Sequence, residues 1–470
     1  MTRPSLGSAA GVALAVLALR IGLGRLNDNS FFTHLATGRL ILDAGDVPTA
    51  DPYSFTAPGA DWVVQSWLAS VAYGAVEDLA GGAGLRALMA ALTVAVFAVV
   101  WRLSRPAQGL LVRLAIGALV LGVAAGGYWA ERPLLFGLLA LGLTVLAAED
   151  GLGPRWLLPV GSLWVNTHGS FPLGIVYLVV VIVGRRLDGE APAIEVRALA
   201  WLAGGVAAGA IGPLGPRILL FPLELLQRQD LLSHVVEWQA PPFRSVGDRL
   251  FLLQVMVALL ALVRRPRYRD GLVVAVFLAA ALLGSRNVAV ASLVFVPVLA
   301  RAWPEVGSLR SDDRSPASRI VGVAAAALFV GLLAGQLGGR HFELSGYPVA
   351  SLDYLEDRRV DLTDVRLGAP ERVGNLLELR DGPRAEVFYD DRFDMYPEDV
   401  SDDVVRLLAG RPGSLEVLDR FDLDLVLWPR NASVATILDA SPAWRVLRRE
   451  PDWLLFCREG AALGPELPVC

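Results

Sequence analysis

LGSAAGVALAVLALRIGLGRLNDNSFFTHLATGRL, residues 6–40, joins an apolar run to a polar and aromatic segment. The apolar run continues past Arg20 to Leu26, instead of ending as a short core with a small-x-small cleavage site. We therefore interpret it as a retained membrane span rather than a signal peptide. The next segment places Asp28 at the exit of this span and His34 on a helix that we expect to lie along the membrane surface.

The composition of the whole chain agrees with a membrane protein. Of the 470 residues, 54% are hydrophobic, and the mean hydropathy of +0.51 is too high for a soluble globular protein. A net charge of -5 gives no electrostatic footprint for nucleic acid. Cys457 and Cys470 do not have the spacing of metal ligands, and we expect neither a metal site nor a disulfide framework.

Apolar segments of about 15 to 20 residues recur along the chain, and a helix needs roughly 20 residues to cross the hydrocarbon layer. We predict about eleven spans, at 6–26, 83–101, 112–127, 133–148, 156–167, 171–184, 197–212, 249–263, 270–284, 287–301 and 319–337. Residues 62–80 are a candidate for a further membrane-embedded helix. The predicted fold class is therefore a mainly α, polytopic helical bundle.

Arginine-rich connections predict the orientation of the bundle, because cytoplasmic loops carry an excess of arginine. Eleven spans and a cytoplasmic N-terminus place four such connections on the cytoplasmic side, at 101–113, 184–197, 263–270 and 301–314. We expect a membrane module at 1–339, with a first outer loop at about 27–82 that carries the surface helix. The region 340–470 is then extracytoplasmic.

The C-terminal region differs in pattern from the membrane module. "AEVFYDD", "LDLVLWP" and "DWLLFCRE" predict strands, and "SDDVVRLLAG" and "ASVATILDAS" predict helices. Their alternation predicts a small α/β domain. "FYDDRFDMYPED" brings Asp390, Asp391, Arg392, Asp394 and Tyr396 together after a predicted strand, either as a contact for sugar or acceptor or as a solvated loop with a local Arg–Asp pair.

Unusual polar residues fall on the predicted outer side of the membrane module. Ionisable groups at membrane depth are unfavourable, and they usually mark a site or a partner within the bundle. Five separate outer loops supply such groups, which predicts a shared cavity on that side. The residues are Asp28, His34, Glu131, Arg132, Asn166, His168, His234, Glu237 and Arg286.

Structural alternatives stay open for the residues nearest the N-terminus. Asp28 is also suited to capping a helix that begins at about Ser30, and His34 to a structural position on an aromatic helix. Glu131 and Arg132 can form a local ion pair that stabilises a short loop.

Alternatives stay open for the later residues too. Asn166 and His168 can cap the turn between two spans. Glu237 precedes Trp238, and tryptophan is a favoured interfacial anchor. Arg286 can extend to the interface, although an arginine in an outer turn departs from the charge rule.

The outer loops resemble those of a known superfamily. "HLATGRLIL", "VPTADPYSFTAPGADWVVQSWLA", "ERP", "LWVNTHGSF", "EWQAPPF" and "YDDRFDMY" are similar to segments of largely uncharacterised bacterial multi-spanning proteins. That group is placed with the GT-C polyprenyl-phosphate-sugar glycosyltransferases. The resemblance covers nearly the whole chain. It implies transfer of a sugar from a polyprenyl-phosphate donor to a glycan, lipid or protein acceptor, on the outer face of the bacterial cytoplasmic membrane.

The resemblance also implies roles for individual residues. GT-C enzymes use an acidic residue early in the first outer loop as base on the acceptor, and Asp28 matches that position. Such enzymes often have two acids there, sometimes with a divalent cation; asparagines flank Asp28, so we assign no metal ligands and the cation stays open. Arg132 or Arg286 would bind the donor phosphate through bidentate bonds. The other substrate-binding candidates are His34, Glu131, Asn166, His168 and Glu237.

Two further functions stay open. A non-catalytic membrane protein could keep the fold without the reaction. A lipid or glycan transporter would also gather charges in a membrane cavity, but the chain lacks the paired broken helices expected of inverted repeats.

Overall fold

A computed structural model of the chain describes residues 4–228, 236–304, 309–336, 338–464, 466–467 and 470. His234 lies outside these residues. The described residues are mainly helical, with one small sheet near the C-terminus. They divide into two compact units: the first comprises residues 1–26 and 65–341, and the second comprises residues 27–64 and 342–470.

The first unit is built from apolar helices. Five helical stretches in the described ranges are long and apolar enough to cross a membrane, namely Trp67–Leu103, Leu110–Tyr128, Val246–Arg264, Ser285–Ala302 and Pro316–Gln336. The shorter helices are Leu6–Gly22, Leu134–Ala148, Leu157–Thr167, Phe171–Leu187, Ala193–Gly209, Arg217–Gln227 and Tyr268–Leu283. A helix lies at each of the eleven predicted spans. The count of eleven crossings is not confirmed, because the shorter helices fall below the roughly 20 residues that a crossing needs.

The helix Trp67–Leu103 has 37 residues, far more than the roughly 20 that a bilayer requires. Its direction changes at Gly81, where φ is 61° and ψ is -158°, a conformation that glycine adopts more easily than other residues. Most of the candidate segment 62–80 is therefore helical and leads through this kink into the second predicted span.

The second unit contains a four-stranded sheet of order β1-β2-β4-β3, whose strands are β1 (Leu367–Gly368), β2 (Leu425–Pro429), β3 (Trp444–Arg449) and β4 (Trp453–Arg458). The pair β1 and β2 is parallel, and β4 is antiparallel to both β2 and β3. The strands predicted in "LDLVLWP" and "DWLLFCRE" are confirmed. The helices of this unit are Asn29–Ala44, Val349–Asp357, Glu371–Asp381, Glu398–Ala409, Ser414–Arg420 and Ser433–Asp439.

The strand predicted in "AEVFYDD" is wrong. This segment makes a single bridge, between Val387 and Ser54, rather than a ladder with the sheet. Val387 donates its N–H to the carbonyl of Tyr53 at 2.8 Å, and its own carbonyl accepts from Phe55 at 3.1 Å. The backbone N–H and carbonyl of Val387 therefore bond to residues 53–55 and not to a strand of the sheet.

Residues 27–64 fold with the C-terminal region. The sequence predicts them to be part of the membrane module, whereas in the structure the helix Asn29–Ala44 packs against the helix Glu371–Asp381. The Thr33 hydroxyl donates to Glu378 Oε2 at 2.5 Å, and Arg39 Nη1 donates to the carbonyl of Leu379 at 2.7 Å. The second unit therefore contains Asp28 together with the acidic segment around residue 390.

Cys457 of β4 and Cys470 form a disulfide, with 6.1 Å between their Cα atoms. The spacing of the two cysteines in the sequence suggests no disulfide, whereas the structure contains one. The chain folds back after β4, where Gly460 donates its N–H to the carbonyl of Cys470 at 2.9 Å. This turn brings together two cysteines whose spacing had not suggested a bond.

Candidate functional site

Asp28 occupies the N-cap position of the helix Asn29–Ala44. This helix begins one residue before the predicted start at about Ser30. The backbone of Asp28 is extended, with φ -69° and ψ 125°, but its side chain makes no capping hydrogen bond. An N-cap aspartate usually accepts a bond from one of the first N–H groups of its helix. The capping alternative is therefore not realised, although the position is the expected one.

Asp391 lies beside the start of this helix. Asn375 is completely buried and connects the two segments, because its Nδ2 donates to the carbonyl of Asn29 at 3.2 Å and its Oδ1 accepts the N–H of Asp391 at 3.1 Å. The hydroxyl of Ser30 also hydrogen-bonds to the Asp391 carboxylate. The geometry thus brings a second acid, distant in sequence, close to Asp28.

The charge around Asp391 favours its protonated form. Burial raises the pKa of Asp391 most, and the negative charges of Asp390, Glu371 and Asp28 raise it further. The hydrogen bond from Ser30 acts in the opposite direction. The resulting pKa of about 7 means that Asp391 exchanges a proton near neutral pH, as groups in functional sites often do.

Arg392 anchors a buried charge network next to this acidic pair. Its Nη1 lies 2.7 Å from Asp51 Oδ1, and its Nη2 lies 2.6 Å from Asp390 Oδ2 and 3.6 Å from Glu378 Oε1. Burial, reinforced by the charge of Asp390, raises the pKa of Glu378 well above its usual range. Burial also raises the pKa of Asp390, but the charge of Arg392, together with hydrogen bonds from Arg392, Glu378 and Tyr396, outweighs burial, so the pKa lies below its usual range.

Aromatic rings enclose the same guanidinium, whose central carbon lies 4.8 Å from the ring centroid of Tyr53 and 4.5 Å from that of Trp62. Arg392 is 5% exposed and Asp390 is fully buried. The alternative of a solvated loop at "FYDDRFDMYPED" is therefore wrong. The Arg–Asp pair exists, but it is part of the core that joins residues 27–64 to the C-terminal region.

In the first unit, three of the predicted residues meet. Arg132 follows the helical stretch Leu110–Tyr128, Glu237 lies in a short 3₁₀ turn, and Arg286 lies at the start of the stretch Ser285–Ala302. Arg132 Nη2 is 2.6 Å from Glu237 Oε2, and Arg286 Nη1 is 3.9 Å from Glu237 Oε1. The structure thus brings together side chains from three of the loops that the sequence predicts to lie on the outer side.

The surroundings of Glu237 favour its charged form. Burial raises its pKa, but the positive charges of Arg132 and Arg286 outweigh burial and lower the pKa below the usual range. Ser285 Oγ donates to the Glu237 carbonyl at 3.1 Å, which fixes the turn against the start of the helical stretch that carries Arg286. All three charged side chains are between 27% and 30% exposed, so the cluster is open to a ligand.

Glu131 lies near the end of the helix Leu6–Gly22. A Cβ added at Gly24 would stand 3.6 Å from Glu131 Oε1. Arg86 lies in the same region, and its Nη2 donates to the carbonyl of Leu23 at 2.6 Å. An acidic and a basic side chain, Glu131 and Arg86, therefore lie near the end of the helix Leu6–Gly22.

Asn166 is largely occupied by structural hydrogen bonds. Its Nδ2 donates to the carbonyls of Ser162 and Gly209, each at 2.9 Å, and its Oδ1 accepts from Trp67 Nε1 at 2.8 Å. These bonds hold the helix Leu157–Thr167 to two other helices. The structural alternative describes this side chain better than direct contact with a substrate.

His168 is the C-cap residue of that helix. Its Nδ1 accepts the backbone N–H of Ser170 at 3.2 Å and lies 2.7 Å from the Ser170 hydroxyl. Since Nδ1 accepts these bonds, a neutral imidazole carries its proton on Nε2. His34 lies half-buried on the helix Asn29–Ala44 of the second unit.

Sequence reasoning missed the relation of Asp391 to Asp28. Asp391 was singled out for its loop, not as a neighbour of the first outer loop. The only available signal was the second acid that the resemblance implies. In the described part of the chain, no group of three or more His, Cys, Asp or Glu side chains is arranged to hold a metal ion.

Comparisons with known proteins give likenesses among solved structures. No family model matches the sequence, and no curated protein matches it. Among solved structures, the chain is similar to the arabinofuranosyltransferase AftD from Mycobacteria, with a TM-score of 0.42 and 15% identity over 97% of this chain. The chain spans 40% of the length of that structure's chain.

Proposed function

We propose that the protein is a membrane glycosyltransferase that moves a sugar from a polyprenyl-phosphate-linked donor to a glycan, lipid or protein acceptor. The observation that carries this proposal is the meeting of Arg132 and Arg286 at Glu237. Two guanidinium groups around one carboxylate, partly open to solvent, are suited to binding a phosphate. Arginine favours such anions because its planar N–H groups form two parallel bonds to phosphate oxygens.

We propose that the reaction takes place on the outer face of a bacterial cytoplasmic membrane. The proposed topology has about eleven spans, a cytoplasmic N-terminus and an extracytoplasmic C-terminal region. The disulfide between Cys457 and Cys470 supports the last of these, because disulfides persist mainly in oxidising compartments.

The arginine cluster acts on the leaving group. When the bond between the anomeric carbon and the phosphate oxygen breaks, the lipid phosphate keeps the electron pair and gains negative charge. Donors that are already in place where charge develops lower the barrier without reorganising. Glu237 orients Arg132 through their ion pair and attracts the charge of Arg286, whose guanidinium stacks on Trp238.

Asp28 is the proposed base. Its carboxylate takes the proton of an acceptor hydroxyl as that oxygen attacks the anomeric carbon, so one O–H bond and one C–O bond break while a new C–O bond forms. Positioned bases contribute about 10²- to 10⁴-fold in rate. Asp391, with a pKa of about 7, is the proposed second acid and can take up the proton from Asp28.

The remaining predicted residues have supporting roles in this proposal. His168 presents an Nε2–H donor to a sugar hydroxyl, and Asn166 positions His168 through the helix they share. Glu131 and His34 supply further polar contacts to the substrate.

Transfer by the purified full chain in nanodiscs tests the proposal. The probes are synthetic decaprenyl-phosphate pentoses and hexoses, with oligosaccharide and lipid acceptors. We expect transfer from one donor by the wild type, and loss of at least nine-tenths of it in Arg286→Gln. Arg249→Gln, which changes an exposed arginine on the helix Val246–Arg264, is the matched control.

Absence of transfer with every donor would favour a non-catalytic membrane protein. The same protein can also be placed in closed lipid vesicles. Movement of the lipid-linked sugar across the vesicle membrane, without sugar transfer, would favour a transporter. Equal rates of sugar transfer by Arg286→Gln and Arg249→Gln would show that the arginine cluster has no part in the reaction.

A further inference from the structure

A second group of positive charges lines a cavity in the first unit. The cavity has a volume of about 650 Å³, within the usual range for small-ligand sites. Arginines 102, 105 and 113 contribute to its wall, together with Trp101 and Ser311. The proposed reaction uses none of these residues.

Arg113 is the deepest of these charges. It is 8% exposed, and its guanidinium stacks on Trp101 with 4.2 Å to the ring centroid. Its hydrogen bonds go to the Trp101 carbonyl at 2.9 Å and the Ser104 hydroxyl at 3.3 Å, which are both neutral groups. No carboxylate of the described residues forms an ion pair with it. Buried charges are normally paired, so a cavity beside this guanidinium indicates an anionic ligand.

Ser311 supplies an independent indication at the same place. It is 5% exposed, and its hydroxyl has no hydrogen-bond partner among the residues that the structure describes. A Cβ added at Gly7 would stand 2.9 Å from Ser311 Cβ and 3.0 Å from Arg113 Nη1, so the serine and the guanidinium border the same space. A buried hydroxyl without a partner is unfavourable, and a ligand oxygen would satisfy it.

The helix Leu6–Gly22 begins beside this space, with Ser5 as its N-cap. The N-terminal end of a helix attracts negative charge. Asp312 also lines the cavity; it is exposed and opposes an anion at the rim. The deep part of the cavity therefore carries the positive potential.

One wall of the cavity is apolar. Gly11, Val12 and Ala15 of the helix Leu6–Gly22 line it together with Phe97 and Ala98. Val12 is 42% exposed although it lies in the middle of an apolar helix, so the cavity opens sideways toward the surroundings of that helix. In a membrane this opening meets lipid chains, so a ligand with a hydrocarbon tail fits the wall and one without a tail leaves it uncovered.

The cavity is distinct from the Glu237 cluster. Leu110–Tyr128 is a stretch of 19 residues that begins close to Arg113 and ends just before Arg132. At 1.5 Å per residue it is about 28 Å long, which is close to the thickness of the hydrocarbon layer. The two arginine groups thus lie toward opposite ends of the same helical stretch.

We propose that this cavity binds the phosphate head group of an anionic membrane lipid. Arg113 and Ser311 contact the phosphate, Arg105 attracts it at the rim, and the start of the lipid chain lies against Val12 and Phe97. Free phosphate shares the head-group chemistry but lacks the chain. The apolar wall and the sideways opening favour the lipid.

Native mass spectrometry of the full chain in detergent tests this proposal. The probes are phosphatidylglycerol, phosphatidylcholine of the same chain length, and sodium phosphate. We expect phosphatidylglycerol to be retained at least tenfold more than phosphatidylcholine by the wild type. Sodium phosphate should neither compete at millimolar concentration nor raise the unfolding temperature.

Ser311→Ala separates a ligand contact from a merely unpaired hydroxyl. Removing a hydroxyl that bonds a phosphate should weaken phosphatidylglycerol retention about tenfold, while the lipid-free protein stays as stable as the wild type or becomes more stable. Arg105→Gln, at an exposed position, should weaken retention several-fold without loss of fold. Arg155→Gln, an exposed arginine outside the cavity, is the matched control.

Each result decides the proposal. Equal retention of the two lipids, or unchanged phosphatidylglycerol retention in both Ser311→Ala and Arg105→Gln, overturns it. Stabilisation by sodium phosphate equal to that by phosphatidylglycerol replaces the lipid with a soluble phosphate. Sugar-transfer activity enters none of these measurements, so the outcome is independent of the proposed reaction.

Discussion

The guanidinium of Arg286 lies over the indole of Trp238, with 4.2 Å between its central carbon and the ring centroid. The ring supports one face of the guanidinium and leaves the N–H groups at its edge directed away from the stack. Arg286 is 3.9 Å from Glu237, beyond hydrogen-bond distance. Its orientation is therefore fixed by stacking, and its edge is available to a phosphate.

Arg286→Lys should reduce kcat/KM for sugar transfer by about ten- to a hundredfold, which corresponds to the loss of hydrogen bonds to a charged group. Lysine keeps the charge but cannot stack in the same way or bind bidentately. Initial rates over a range of donor concentration measure the effect, with Arg249→Lys as the control. A lysine variant with wild-type kcat/KM would mean that charge alone is sufficient.

Asp28→Asn should lower kcat by at least about a hundredfold, because asparagine cannot take a proton. We expect the donor KM to change little. Asp43→Asn, an exposed acid on the same helix, should leave both constants unchanged. The unfolding temperature of Asp28→Asn should stay within about 2 °C of the wild type, because the carboxylate makes no capping bond; a large decrease would instead support a structural role.

Asp391 should make the stability of the protein fall as the pH rises from about 4 to about 7. Its pKa is raised from 3.8 to about 7 in the folded state, so the folded protein binds more protons than the unfolded chain in this window. The stabilisation is complete below about pH 4 and lost above about pH 7. The slope is at most about 1.4 kcal/mol per pH unit, reduced by solvent at this half-buried position.

The measurement for Asp391 is the free energy of unfolding at several pH values for the wild type and Asp391→Asn. The difference between the two should change steadily across the window. Asp43→Asn, at an exposed position of the same unit, is the control. Parallel curves for the wild type and Asp391→Asn would contradict the raised pKa.

Arg392→Met should destabilise the second unit by about 3 to 5 kcal/mol, because it leaves the carboxylates of Asp51 and Asp390 buried without their cation. Arg359→Met, which removes an arginine that is 82% exposed and paired with Glu466, should change stability by less than about 1 kcal/mol. Limited proteolysis and thermal unfolding of the purified chain measure both. An equal effect of the two variants would show that the buried network contributes little.

Local pattern was sufficient for most of the membrane helices. Their apolar residues are contiguous in sequence, so each of the eleven segments could be located without knowledge of its neighbours. The positive-inside rule also singled out Arg286 as an exception, and the structure places Arg286 beside Glu237 and Arg132. The number of crossings could not be obtained in this way, because several helices are shorter than a bilayer.

Contacts between distant segments were not predictable in the same way. The segment "AEVFYDD" has the composition of a strand, but its backbone pairs with residues 53–55, and no local pattern records that partner. The proximity of Asp391 to the start of the helix Asn29–Ala44 depends on Asn375, a buried polar residue in a third segment. Asn166 shows the opposite case: its turn chemistry suggested a structural role, and its three hydrogen bonds fulfil one.

The packing of residues 27–64 against the C-terminal region affects how the protein is made. Asp51 contacts Arg392, and Thr33 contacts Glu378. During synthesis Asp51 and Thr33 leave the ribosome long before these partners, because residues 65–341 of the first unit lie between them in the sequence. Residues 27–64 therefore cannot form these contacts, and their polar groups stay solvated, until Glu378 and Arg392 have been translated. A nascent chain arrested before residue 390 should remain protease-sensitive in this segment even when all its membrane helices have been inserted.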